Sequence, residues 1–316
     1  MIPAGKRIII MAYTKERSEK NMGNQAGKKT LNIIVSLLSI MSLVAIIVAL
    51  IIVNGTKIKN GAITVNTNAV SLVDSEEAAL EEELKRQEEA LEQEKVQLIE
   101  DADRLAASYD YDGAITLIES FENYEEDSRF TDKIAEYEGI KATCVPVKIS
   151  EVTHIFYHSL VVDPERAFAN QEKNPQAVGN NQWMTTISEF EKITQEMYDR
   201  GYVMVSIHDL YEVTKDENGN EVWKEAEILL PEGKKAFVMS MDDLSYYHAY
   251  DNYGYAARLV LDKNGDVVNE YYDANGEMKL GAYDYVPILD KFVEEHPDAS
   301  YKGAKGIIAM TGYNGV

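Results

Sequence analysis

Cysteine and positive charge are both scarce in this chain of 316 residues, and each scarcity excludes a class of protein. Cys144 is the only cysteine, so no disulfide can form within the chain, and small disulfide-stapled scaffolds are excluded. The chain has 31 Lys and Arg residues against 54 Asp and Glu residues, for a net charge of −23. Because nucleic-acid binding needs a basic face, and no segment after residue 53 supplies one, we expect no nucleic-acid partner.

One segment is long enough and apolar enough to predict a membrane span. Residues 31–53 read LNIIVSLLSIMSLVAIIVALIIV and contain no charged residue. A helix of this length crosses a hydrocarbon core of about 30 Å. Lys and Arg residues are concentrated in the tail, residues 1–30, so the positive-inside rule predicts a cytoplasmic N-terminus and an extracellular C-terminal part. The sequence therefore predicts a single-pass protein of the cell membrane, with a polar linker over 54–73.

The acidic region over residues 74–140 predicts helices. Leucine recurs there at every seventh position, at Leu84, Leu91, Leu98 and Leu105. The alternate positions of the seam are polar: Gln87, Glu94 and Asp101. A firm coiled coil needs both seams apolar, so a solvated helical stalk and a weak dimer zipper both stay open. The stretch ADRLAASYDYDGAITLIESF resembles one tetratricopeptide unit, and a single unit predicts a helical hairpin rather than a peptide-binding array.

Residues 145–316 alternate between β-rich runs and amphipathic helical patterns. VTHIFYHSL and KAFVMSM are typical of strands, and YDYVPILDKFVEEHP is typical of a helix. The segment TISEFEKITQEMYDRG ends at a glycine and places apolar side chains on one helical face: Ile187, Phe190, Ile193, Met197 and Tyr198. Strands that alternate with helices predict a parallel α/β architecture, either an open sheet or a barrel.

Three short segments carry an Asn-Gly pair, which is the strongest short-range signal for a β-hairpin. They read DENGNEVW, DKNGDVV and DANGEMK. The last two lie within residues 258–283, which we expect to form a hairpin insertion. The segment HDLYEVT, which precedes the first of them, is expected to form a short helix.

The candidate chemistry centres on an acidic pair. Asp242 and Asp243 directly follow the apolar run KAFVMSM, so they are expected at the end of a buried strand, where adjacent carboxylates repel each other unless one is neutralised. Around them the chain reads FYHSL, then the helix that ends at Gly201, then LPEGKKAFVMSMDD, YDYVPILDKF and GAKGIIAMTGYNGV. This order of segments resembles the NodB-type polysaccharide deacetylases of carbohydrate esterase family 4, and most closely the branch that acts on poly-N-acetylglucosamine.

The resemblance implies a fold, a cofactor and roles for single residues. The fold would be α/β, a partial distorted (β/α) barrel of NodB type over residues 145–316, preceded by one transmembrane helix and an α-helical stalk. Asp242 would be the general base, and Asp243 would bind a divalent metal, usually zinc. The metal would neutralise Asp243 and activate a water that attacks an N-acetyl carbonyl. The expected partner is an N-acetylated polysaccharide or peptidoglycan.

The sequence departs from the family pattern at two places. Leu244 stands where the family has the glycine that lets the backbone approach substrate. The His-x-x-x-His motif that completes the family's metal site does not follow the acidic pair. The one pair with that spacing, His154 and His158, precedes it on a single strand, about 13 Å apart, too far to share a metal. We therefore expect the chain to be a fragment of a longer hydrolase and to be inactive as it stands.

Three further residues are candidates for sugar binding. His158 lies in the Tyr-His strand that lines the family's active site, and Tyr246 and Tyr247 could stack on sugar rings. Each could equally be a packed or hydrogen-bonded structural residue. Two alternatives to an enzyme also stay open: a non-catalytic relative that binds envelope glycan, and an assembly protein that dimerises through its stalk.

Overall fold

A computed structural model of the chain describes residues 57–59, 62–64, 67–169, 172 and 176–311. The chain divides into two compact units, and each boundary between them falls within the helical region. The first unit includes the described residues up to 102 together with 115–134. The second includes 103–114 together with the described residues from 135 onwards.

The α-helices of the described residues are, in chain order, α1 (Thr67–Ala107), α2 (Tyr111–Glu119), α3 (Ser128–Lys141), α4 (Pro164–Phe168), α5 (Ala177–Trp183), α6 (Ile187–Asp199) and α7 (Tyr285–Glu295). α6 is the helix predicted from apolar periodicity. Its first turn is closed by a reciprocal capping box, in which the Thr186 hydroxyl accepts from the Glu189 amide and the Glu189 carboxylate accepts from the Thr186 amide. The helix is followed by Gly201, whose φ of 77° is left-handed, so the predicted stop is confirmed.

The strands are β1 (Lys57–Lys59), β2 (Ala62–Thr64), β3 (Val145–Pro146), β4 (Thr153–Tyr157), β5 (Tyr202–Met204), β6 (Tyr211–Lys215), β7 (Glu221–Glu225), β8 (Leu229–Leu230), β9 (Lys235–Leu244), β10 (Ala256–Leu261), β11 (Val267–Tyr272), β12 (Met278–Gly281) and β13 (Ile307–Met310). β9 is the centre of a four-stranded sheet and pairs in parallel with β4, β5 and β13. The other strands form small antiparallel sheets: β1 with β2, β3 with β8, β6 with β7, and β10–β11–β12.

The register between β4 and β9 divides the central sheet into two chemically different faces. Ile155 is opposite Met239 and Tyr157 is opposite Met241, and these side chains join the core with residues from α6 and α7. The Phe190 ring of α6 lies edge-on to the Tyr157 ring, with centroids 4.9 Å apart. Burial of such side chains stabilises the fold by about 2–3 kcal/mol each. The opposite face carries the alternate residues of both strands, which include His154, Ser240 and Asp242.

The three Asn-Gly segments form the same tight turn, as predicted. In each, one aspartate accepts hydrogen bonds from the backbone amides two and four residues further on; these are Asp216, Asp262 and Asp273. The glycine of each turn has a φ between 76° and 91°. The insertion predicted over residues 258–283 is therefore a three-stranded meander of β10, β11 and β12. The predicted short helix over HDLYEVT is wrong: it is one 3-10 turn followed by β6, because the Asn-Gly turn pairs that strand with β7.

Charged side chains link the helices of the first unit. The Lys95 ammonium and the Arg129 guanidinium both contact Asp127, at 2.9 and 2.7 Å. The hydrogen bond from Arg129 holds the pKa of Asp127 well below its usual range. Leu84 and Leu91, from the predicted heptad, are 42% and 43% exposed in the single chain. A dimer through this helix stays a prediction, which sedimentation of the intact chain would check.

The predicted fold class, a partial distorted (β/α) barrel preceded by a transmembrane helix and a stalk, is wrong. The described residues form a mixed α/β structure in which one parallel sheet is accompanied by separate antiparallel sheets. A (β/α) barrel requires a helical crossover of a dozen or more residues between consecutive strands. Here Asn-Gly turns join β6 to β7 and β10 to β11, so these strands return antiparallel and do not extend the parallel sheet.

The predicted localisation, a single-pass protein of the cell membrane with an extracellular C-terminal part, is also contradicted. Within the described ranges, no helix is both long and apolar enough to cross a bilayer. α1 has the length, at 41 residues, but it is rich in glutamate, and ionised carboxylates are costly in hydrocarbon. The predicted span over 31–53 and the tail over 1–30 lie outside the described residues.

Replacing Gly254 with alanine is expected to lower the free energy of unfolding by about 3 kcal/mol. Gly254 has a φ of 88°, and a Cβ there would lie 2.5 Å from the carbonyl oxygen of Asp163. Its own carbonyl accepts from the Val162 and Asp163 amides, so the backbone cannot easily move away. Urea denaturation would measure the change. Gly219→Ala is the matched control, because Gly219 has a φ of 83° but open space around it. Its free energy of unfolding should fall by only about 1 kcal/mol. Equal losses in the two variants would contradict the steric argument.

Candidate functional site

The carboxyl end of β9 carries the acidic pair, as predicted from the sequence. Successive side chains of a strand point to opposite faces, which separates the two carboxylates. Asp242 is half-buried, whereas Asp243 is exposed and has a left-handed backbone, with a φ of 53°. This conformation costs a non-glycine residue on the order of 1–2 kcal/mol, and such strain is concentrated at functional sites. The strained end of β9 is therefore the candidate site.

A chain of hydrogen bonds runs across the sheet to Asp242. The Ser240 hydroxyl donates to the Asp242 Oδ1 at 3.0 Å, and the His154 Nε2 lies 2.8 Å from the Ser240 Oγ. An ionised carboxylate can only accept hydrogen bonds, so Ser240 donates its single hydroxyl proton to Asp242. The His154 Nε2 must therefore carry a proton and donate to Ser240. Ser240 itself is buried, so its hydroxyl fixes the orientation of the Asp242 carboxylate.

The order of these three residues differs from that of a serine hydrolase triad. In a triad the imidazole lies between the hydroxyl and the carboxylate and takes the hydroxyl proton as the nucleophile attacks. Here the hydroxyl lies in the middle and already donates to the carboxylate. The arrangement therefore favours Asp242 as the proton acceptor and Ser240 as the residue that positions it. Neither His154 nor Ser240 was predicted, although both lie at even spacings from predicted residues, Ser240 two before Asp242 and His154 four before His158.

His158 lies at the end of β4, the strand next to β9. The last paired residues of the two strands are Tyr157 and Met241, and His158 and Asp242 follow them directly. The His158 ring is half-buried and lies edge-on to the Phe156 ring, with centroids 6.0 Å apart. Because parallel strands end at the same edge of a sheet, His158 shares the candidate site's edge with Asp242.

The two predicted tyrosines have different environments. Tyr246 is 8% exposed, and its hydroxyl accepts from the Asn269 Nδ2 at 3.0 Å, so it has a structural role and no free ring face for a sugar. Tyr247 is half-buried, and its hydroxyl lies 3.2 Å from the Thr311 Oγ1, beyond the end of β13. Its ring centroid is 6.0 Å from that of Tyr250. Tyr247 thus lies among exposed and half-buried groups near the carboxyl edge of the sheet.

Behind the site, a buried carboxylate holds several segments together. Asp284 is fully buried at the start of α7 and accepts from the Leu160 and Tyr285 amides at 2.9 and 2.8 Å. Burial raises the pKa of Asp284 to about 6, although these hydrogen bonds oppose the rise. Burial, with the nearby Asp284 charge, also raises the pKa of Tyr246. This network connects the segment after β4, the loop after β9 and α7.

The described residues do not complete the predicted zinc site. A protein zinc site takes three or four His, Cys, Asp or Glu ligands. Nowhere in the described ranges do three such side chains come together with metal-binding geometry. His154 is committed to Ser240, which leaves the acidic pair and His158 as the donors at this edge. These residues alone do not fit a closed zinc site.

Two cavities of the second unit are formed by elements other than β9. One, of about 620 Å³, lies between α6 and the edges of β4 and β5, and Ile155, Met197 and Tyr202 line it. The other, of about 410 Å³, lies between the loop that follows the acidic pair and the β10–β11 hairpin. Neither is lined by Asp242 or Asp243.

Comparisons of the chain with protein-family models, with curated proteins and with solved structures find no match. The likeness to NodB-type deacetylases therefore stays a prediction that depends on the order of the segments. The structure contributes one local feature, a parallel sheet whose central strand ends at the acidic pair.

Replacing Ser240 with alanine is expected to destabilise the protein by about 1–2 kcal/mol, because the two hydrogen bonds of the buried Ser240 hydroxyl, to His154 and Asp242, are lost. Ser240→Thr retains the hydroxyl and should recover most of that loss. Urea denaturation of the three proteins would measure both effects. Equal stability of the alanine variant and the wild type would show that the hydrogen-bond chain does not form in solution.

Proposed function

We propose that the second unit is a polysaccharide N-deacetylase-like domain that acts on an N-acetylated polysaccharide or peptidoglycan. The observation that carries the proposal is the position of Asp242 and Asp243 at the carboxyl end of the central parallel strand, with Asp243 strained and exposed. In parallel α/β sheets, substrates bind at this edge. His158, from the end of the neighbouring strand, lies at the same edge.

The proposed reaction is hydrolysis of an acetamido group. Asp242 accepts a proton from a water molecule as the water oxygen attacks the N-acetyl carbonyl carbon. The C–N bond then breaks as Asp242 passes this proton to the leaving nitrogen. The products are a sugar that carries a free amine and acetic acid, which ionises to acetate. A general base of this kind contributes about 10²–10⁴-fold to a rate. Ser240 supports this role because its hydrogen bond aims the Asp242 carboxylate.

Asp243 is proposed as one ligand of a divalent metal. It is exposed, and it directly follows the proposed base in the chain. A divalent cation bound there would favour the ionised form of both carboxylates. Zinc titration of the intact chain, followed by calorimetry, would check the proposal, with Asp243→Asn as the variant that should weaken binding. Equal zinc affinity in both proteins would remove Asp243 from the metal site.

A second function, glycan binding without catalysis, is favoured by a different observation. The described residues bring together too few ligands for a closed metal site. Leu244 is also 1% exposed, so the position where the family's glycine lets the backbone meet substrate is filled by a core side chain. A protein of this kind would bind the N-acetylated polymer and leave it unchanged.

The two functions are separated by one assay on the intact chain. N-acetylglucosamine tetrasaccharide is incubated with the protein and zinc, and free acetate and free amine are both measured. Deacetylation predicts equal amounts of the two products. Binding by calorimetry without either product would favour the non-catalytic function, and neither binding nor product formation would overturn the proposal.

A further inference from the structure

We infer that the cavity of about 410 Å³ beside the β10–β11 hairpin binds one uncharged sugar unit of the polymer, next to the unit at the acidic pair. The inference rests on the proposed function. The cavity, named here the hairpin cavity, is lined by residues that include His248, Asp251, Tyr255, Arg258, Glu270 and Tyr272. Its volume lies in the range of small-ligand sites, roughly 300–1,000 Å³.

The charged side chains that line the hairpin cavity are paired with one another, which favours an uncharged ligand. The Arg258 Nε and Nη2 donate to the two carboxylate oxygens of Glu270, at 2.7 and 3.0 Å. Also in the lining, the His248 Nδ1 lies 3.0 Å from the Asp251 Oδ2. A phosphate or carboxylate ligand would have to compete with Glu270 for the guanidinium. An uncharged ligand rich in hydroxyls can instead bond to the outer edges of the Arg258 and Glu270 groups without breaking their pair.

Tyrosine rings connect the hairpin cavity to the acidic pair. The Tyr255 ring lines the cavity and lies 4.7 Å from the Tyr250 ring. The Tyr250 ring in turn lies 6.0 Å from the ring of Tyr247, which is four residues after Asp243 in the chain. The C–H faces of a hexopyranose pack well on such rings, and the Tyr272 ring, in a residue that is 39% exposed, adds a second surface.

The Tyr255 hydroxyl gives an independent reason to expect a polar ligand. It is buried at the cavity wall and has no hydrogen-bond partner within the described residues. Buried tyrosine hydroxyls usually find a partner. A small rotation of the Tyr255 side chain would let a hydroxyl of a sugar in the cavity supply one. A polymer that reaches from Asp243 along Tyr250 into the cavity would thus place consecutive sugar units at the two sites.

Two variants of the hairpin cavity test the inference in the intact chain. Tyr272→Ala removes a stacking surface, and Arg258→Ala removes a donor and leaves Glu270 unpaired. Each is expected to weaken binding of N-acetylglucosamine tetrasaccharide about tenfold, measured by calorimetry. Tyr272→Phe retains the ring and should bind nearly as the wild type does, which guards against loss through misfolding.

The control is Lys224→Ala. Lys224 pairs across β6 and β7 with Glu212, at 3.8 Å, in a second exposed hairpin that does not line the cavity, so its loss should leave tetrasaccharide affinity unchanged. Wild-type affinity in both Tyr272→Ala and Arg258→Ala would overturn the inference, while acetate release that depends on Asp242 would leave the proposed function intact. Weakened binding in both variants without acetate release would support the cavity and reject deacetylation. A wild-type protein that neither binds the tetrasaccharide nor releases acetate would refute both.

Discussion

Replacing Asp242 with asparagine is expected to lower any acetate release from N-acetylglucosamine tetrasaccharide by about a hundredfold to ten-thousandfold. Asparagine has nearly the same shape, and its carbonyl oxygen can still accept from the Ser240 hydroxyl. It cannot take a proton from the attacking water. The expected loss is therefore in kcat, with little change in the affinity for the sugar. Steady-state acetate release at several substrate concentrations would separate the two parameters.

Asp199→Asn is the matched control for that experiment. Asp199 is an exposed carboxylate at the end of α6, where it accepts from Gln195 and has no contact with the sheet edge. The control should release acetate at the wild-type rate. If Asp242→Asn kept more than a tenth of the wild-type rate, Asp242 would not be the base, and the fold-level argument for a deacetylase would lose its main support.

Asp284 is expected to make the protein less stable as the pH rises from about 4 to about 6. Its pKa in the folded protein is about 6, against 3.8 for the ordinary side chain, because burial disfavours the charged form. Between these two pH values the folded state therefore binds more protons than the unfolded state. The stabilisation is present in full below pH 3.8, the pKa of the side chain in the unfolded chain. It is lost as the pH rises through about 6, the pKa of Asp284 in the folded protein. The difference corresponds to about 3 kcal/mol.

Asp284→Asn isolates this effect from the titration of the other carboxylates. Asparagine is neutral at every pH, can accept from the same two amides through its carbonyl oxygen, and is equally suited to begin a helix. The variant should match the wild type near pH 4 and exceed its free energy of unfolding by up to about 3 kcal/mol near pH 8. Urea denaturation at a series of pH values would measure this. A difference between the two proteins that does not change with pH would contradict a buried, titrating Asp284.

Local features of the chain were predictable where a short pattern has one physical solution. The period of 3.6 that ends at Gly201 predicted α6, because only one helical face can be buried and glycine is favoured in the left-handed position that follows. The Asn-Gly pairs predicted the hairpins, because glycine tolerates the positive φ that the turn requires. The apolar run before Asp242 predicted a buried strand. The structure confirms it, because six consecutive residues of β9 are buried.

The errors arose where a pattern has more than one solution. Alternation of strands and helices is compatible with a barrel, an open sheet or a mixed fold, and the tertiary pairing chose the last. HDLYEVT has a helical composition, yet the turn that follows it pairs it as a strand. Tyr246 was a candidate for stacking on a sugar, with packing as the alternative, and its ring is buried with its hydroxyl bonded to Asn269, 23 residues away.

The sequence by itself determined the acidic character of the chain, its hairpin turns, its amphipathic helices and the strand that ends at Asp242, because these depend on neighbouring residues. Only the tertiary structure decided which distant groups meet: His154 with Ser240, Asn269 with Tyr246, and the Leu160 amide with Asp284. These contacts join residues that are 86, 23 and 124 positions apart. The physical reason is that such pairings depend on strand register and on which face each residue occupies, and no local preference encodes either.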